Sequence, residues 1–204
     1  MSILNVLMAQ DQAVVAVDTL AQDAITGEAS EGAKLLLIPQ HNIVMAGRGS
    51  GQFLLRLYQL GLEASFRRDF SIEQLMREVG PVMDQLWPNY VQAALDAKMY
   101  LDRLQSEIVL VGWSKAQDRV VGTAYAKSAA ERPTRVAELV GGIASPGEPL
   151  RDGTDSFEPE AILAAGRRQA EHLNAQEGRV VAGGRLIAAF LRRGEAAVRD
   201  IGTI

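Results

Sequence analysis

The chain has 204 residues, 48% of them hydrophobic, and a formal net charge of −4. That is long enough to bury one substantial core and too apolar for a disordered chain. The acidic balance offers no basic footprint for nucleic acid or an anionic membrane. The absence of cysteine excludes disulfides, thiol catalysis and thiolate metal sites.

With only His41 and His172 in the chain, a multi-histidine metal site is not expected and no cofactor is called for. No run of about 18 apolar residues occurs, so no membrane span is expected. The first basic residue is Lys34, which leaves no positive region ahead of Ile3 to Ala9. The expectation is a cytoplasmic protein, a single domain over residues 1–204, that begins directly with folded structure.

In chain order, Ile3 to Ala9 and Ala13 to Val17 are apolar runs around Gln10-Asp11-Gln12, which predicts a hairpin. Gln22 to Gly32 is polar. Lys34 to Ile38 and Ile43 to Ala46 read as strands around the turn Pro39 to Asn42, and Gly47-Arg48-Gly49-Ser50-Gly51 breaks the pattern. Phe53, Leu54, Leu57, Tyr58 and Leu60 then recur at helical spacing. Ser71 and Gln74 form a capping box for a second helix, which Gly80-Pro81 and Trp87-Pro88 are expected to kink or end. Val91 to Leu101 reads as a further helical piece. Glu107 to Trp113 and Arg119 to Tyr125 predict a hairpin, and Arg135 to Ile143 one more strand. Pro146 to Phe157 is a loop, Glu158 to Gln176 a helix with Pro159 in its first turn, and Gly183 to Leu191 with Ala196 to Ile201 a closing hairpin. This grouping favours two antiparallel sheets with helices outside over alternating βαβ units.

Three positions stand out by spacing. Ser2 lies sixteen residues before Asp18 (18 − 2), and Asp18 sixteen before Lys34 (34 − 18). Val14-Val15-Ala16-Val17-Asp18, Lys34-Leu35-Leu36-Leu37-Ile38 and Val44-Met45-Ala46-Gly47 resemble the motifs of the proteasome β-subunit family and its HslV-type relatives. The resemblance covers about the first fifty residues closely and the later element order loosely. It implies an α+β fold, a four-layer αββα sandwich, assembled into homo-oligomeric rings. It implies peptide-bond hydrolysis of unfolded polypeptides, and leaves room for a partner ATPase that would feed them.

The resemblance also assigns roles. Ser2 would be the nucleophile after loss of Met1, with its own α-amine as base. Lys34 would be its cationic neighbour, Asp18 the partner of Lys34, and Gly47 the oxyanion donor through its backbone N–H. Ser145 would stand in for a serine of the family's glycine-rich turn. Serine replaces the usual threonine, and Arg179 to Ala182 stand before Gly183-Gly184 where the family carries an accessory Asp and Ser. The missing accessory Asp and Ser motivate one rival, a silent ring-forming assembly protein; a small-molecule amidase of the same fold is a second.

Overall fold

The computed structural model describes residues 2–23, 25–99, 104–151 and 156–204. The chain opens as a hairpin of β1 (Leu4–Met8) and β2 (Gln12–Asp18), followed by a short ribbon, β3 (Leu20–Gln22) and β4 (Ala29–Glu31), then β5 (Leu35–Ile38) and β6 (Ile43–Arg48). Helices α1 (Gly51–Ala64) and α2 (Ile72–Asp96) come next. After them run β7 (Ser106–Ser114), β8 (Arg119–Lys127), β9 (Arg135–Glu138) and β10 (Gly142–Ser145). The chain closes with α3 (Pro159–Glu177), β11 (Arg185–Arg192) and β12 (Glu195–Thr203).

Two five-stranded antiparallel sheets result, ordered β10-β1-β2-β11-β12 and β5-β6-β7-β8-β9. Strand alternation distributes the core. Along β2, Ala13, Val15 and Val17 face the other sheet, where they meet Val44, Ala46, Val109 and Val111. Val14 and Ala16 face the opposite way and pack with Ile162 of α3. Ile43 and Met45 of β6 likewise turn outward to Phe53, Leu57 and Met83 of α1 and α2. The layers are therefore helix, sheet, sheet, helix, an α+β sandwich of antiparallel sheets as the sequence implied. Among the described residues, no helix is long and apolar enough to cross a membrane.

Several boundaries differ from expectation. α2 continues through both Pro81 and Pro88. Both prolines lie on its exposed side, where water can take the carbonyls they leave unbonded, while Leu75, Val79, Met83 and Trp87 keep the opposite stripe buried. The segment Arg135 to Ile143 is not one strand. β9 pairs with β8, whereas β10 pairs with β1 in the other sheet, and buried Leu139 sits in the crossing. The polar stretch after Gln22 holds half of the β3–β4 ribbon. Of the helical piece read over Val91 to Leu101, α2 takes the part to Asp96, and residues 100–101 lie outside the described residues. So do residues 152–155 of the loop read over Pro146 to Phe157.

Candidate active site at the N-terminus

The β1–β2 ladder sets Leu4 opposite Val17, which brings Ile3 and Ser2 beside Asp18. The Ile3 N–H donates to Asp18 Oδ1 at 2.9 Å. Lys34 enters from the start of β5 in the second sheet, so the site bridges the sandwich at one end. Its Nζ donates to Ser2 Oγ at 2.9 Å, to Asp18 Oδ1 at 2.9 Å and to the Leu20 carbonyl. All three ammonium protons are thereby used, and Lys34 acts towards Ser2 as a donor. Ser2 is 6% exposed and Asp18 fully buried, while the Lys34 side chain keeps 11% of its surface. Burial holds the Lys34 pKa below the usual lysine value; the Asp18 carboxylate opposes that shift, and nearby Arg48 adds to it.

Asp18 is held from a third direction. Asn174 of α3 accepts from the N–H groups of Val181 and Ala182 at 2.8 and 3.0 Å and donates to the Ala182 carbonyl at 3.0 Å. This pins the segment leading into β11 and presents the Gly183 N–H to Asp18 Oδ2 at 3.4 Å. Asn174 escaped the sequence reading, since its partners lie outside its own helix. A cavity of about 280 Å³ adjoins Lys34 and is lined by Thr19, Glu31, Gly32 and Ala33 among others.

The other two candidates stand apart from this cluster. The Gly47 N–H donates to the Lys34 carbonyl at 3.0 Å as an extension of the β5–β6 ladder. The Gly47 N–H, to which the resemblance gave the oxyanion role, is thus engaged by the Lys34 carbonyl in the folded chain. Packing accounts for the glycine: a Cβ there would lie 2.6 Å from Ile108 Cδ1 and 2.9 Å from the Glu107 carbonyl oxygen. Ser145, opposite Leu4 in the β1–β10 ladder, bonds neither Ser2 nor Lys34 among the described hydrogen bonds. It donates to Glu107 Oε2 at 3.2 Å and accepts from Arg48, whose Nε lies 3.6 Å from the same carboxylate oxygen. Arg48 was legible only as a charge in a glycine-rich turn. It continues the β6 alternation of Val44 and Ala46 into the space between the sheets. Among the described residues, no group of three or more His, Asp or Glu side chains is placed to hold a metal.

No family model matches the chain, and no curated protein matches it. Among solved structures 461 chains match. One of them is Anbu, a Gly-1 mutant, from Hyphomicrobium sp. strain MC1. It is 13% identical to this chain, covers 99% of it and 88% of its own length, and superposes with a TM-score of 0.64. The chain shares with that structure its fold, two antiparallel sheets between layers of helix. Membership of the proteasome β-subunit and HslV-type family, which the first fifty residues resembled, is overturned: no family model supports it, and 13% identity carries fold alone.

Proposed function

We propose that this chain is an N-terminal-nucleophile amide hydrolase that uses Ser2 once Met1, which lies outside the described residues, has been removed. One observation carries the reading: Lys34 Nζ, held by buried Asp18, lies 2.9 Å from Ser2 Oγ. A serine hydroxyl is a weak nucleophile and needs an adjacent base. With its three protons engaged, Lys34 is an electrostatic neighbour of Ser2 and not that base. The free Ser2 α-amine fills the role, with a reference pKa of about 7.7–8.0. The adjacent ammonium favours its neutral form.

In the reaction the amine takes the Oγ proton as Oγ bonds to the amide carbon. Lys34 stabilises the charge developing on Oγ. The same proton passes to the leaving nitrogen as the C–N bond breaks, and an ester on Ser2 remains. Water, deprotonated by the amine, then hydrolyses that ester and restores the hydroxyl. The substrates would be unfolded polypeptides, and the protein would act as a homo-oligomeric ring, with an ATPase as a candidate feeder. The Anbu likeness supports such assembly only through the shared fold.

A second reading, a ring-forming subunit without catalysis, draws on the committed Gly47 N–H. Intact-mass spectrometry with and without a β-lactone separates the two. Loss of Met1 and a single adduct on Ser2, absent in Ser2→Ala, is the expected result. A retained Met1 with no adduct would favour the silent subunit.

A further inference from the structure

The start of β7, the end of β8 and the connection from Ser128 to Arg135 enclose a separate cavity of about 340 Å³. Ser106, Lys127, Arg132 and Arg135 line it. Ser106 and Lys127 are directly paired across the antiparallel ladder, so their side chains leave the sheet on one face. They are 1% and 4% exposed. Lys127 is anchored through two of its three donors, on Asp84 Oδ1 at 2.7 Å and on the Arg132 carbonyl, and Thr134 secures the same carboxylate oxygen through its N–H and its hydroxyl.

Ser106 is the exception. Its buried Oγ has no hydrogen-bond partner among the described residues. Buried hydroxyls are almost always satisfied, so an orphan in a cavity wall marks a missing occupant. A water would answer Ser106 alone. The charges ask for more. Glu107, the acid in the lining, is engaged by Arg48 and Ser145. Among the described residues, neither the Arg132 nor the Arg135 guanidinium has an acidic partner within ion-pair distance. A hydroxyl, an ammonium and two guanidiniums around one cavity form a donor-rich array matched to oxyanion geometry.

We propose that this cavity binds a small oxyanion, a phosphate or carboxylate group, at a site separate from Ser2. Trp87 lies over Lys127, with its ring centre 5.9 Å from Nζ, and serves as an internal reporter. In a Trp113→Phe background, Trp87 fluorescence and melting temperature are followed while inorganic phosphate, or acetate in a parallel series, replaces sodium chloride at constant ionic strength. The expected result is a saturable fluorescence change and a rise in melting temperature with at least one of the two anions. Its midpoint should weaken at least tenfold in Arg132→Ala/Arg135→Ala, both exposed positions, and at least threefold in Ser106→Ala. Preference for phosphate or for acetate identifies which group the site takes. A response to both anions no greater than to chloride overturns the proposal, as does one that survives unchanged in the double variant.

Discussion

Asp18 is fully buried and accepts from Ile3 and from Lys34, both at 2.9 Å. A buried pair is of uncertain net value, but breaking it from one side strands the other charge. Asp18→Ala is therefore expected to lower the unfolding free energy by about 3–5 kcal/mol, measured by urea denaturation. Asp18→Asn/Lys34→Met should recover most of the loss. A cost for Asp18→Ala below about 1 kcal/mol would mean the pair is effectively solvated. Burial also sets a pH signature. The folded Lys34 pKa lies below 10.5, so between the two values the unfolded chain holds more protons. Across that window stability rises with pH in the parent relative to Lys34→Met. Loss of the ammonium should remove Ser2 acylation over the same window. The alkaline limb of the acylation rate then falls below 10.5, and Asp18→Asn moves it lower because the carboxylate is what holds that pKa up. An alkaline limb that ignores Asp18→Asn would detach Lys34 from the chemistry.

At the scale of elements, legibility followed sequence distance. The first hairpin, the Ser71 cap and the closing hairpin are local, and their turn and cap residues announced them; Ser71 Oγ does accept from the Gln74 N–H at 3.2 Å. The split of β9 from β10 was hidden because Arg135 to Ile143 reads as one strand-forming run, and the choice of sheet is made by partners elsewhere in the chain. The Ser2, Asp18 and Lys34 cluster was read from its spacing and the resemblance, and the structure brings the three side chains together. Arg48 with Ser145 and Glu107 joins strands far apart in the chain and left no mark on spacing. α3 offers a test of such close fitting. A Cβ on Gly166 would lie 2.7 Å from Leu186 Cδ2, and Leu186 is fully buried. Alanine there gains about 1 kcal/mol of helix propensity, but overpacking costs about 1–3 kcal/mol. Gly166→Ala is expected to destabilise on balance, read as a lower melting temperature. An unchanged or higher value would show that α3 can lift away from its sheet.

At the scale of the whole molecule, the sandwich leaves large apolar side chains outside. Phe66, Val140, Ile25 and Val180 are all mostly exposed. Phe66 is presented by a braced turn. Gln40 donates to Ser65 Oγ at 2.7 Å, His41 Nε2 lies 3.0 Å from the Ser65 carbonyl oxygen, and the Phe70 ring packs 4.3 Å from that of His41. His41 is thus a strut under the α1–α2 connection. A rigid, exposed aromatic loses little conformational freedom on contact, which suits an interface. If the protein acts as a ring, light scattering after size exclusion should give a multiple of the 22.0 kDa chain mass. Phe66→Ser should then shift the population to smaller species while leaving the circular dichroism spectrum unchanged. A monomeric parent would remove the ring. The same outcome, combined with a Ser2 adduct, would turn the reading towards an amidase with an open site acting on small amides.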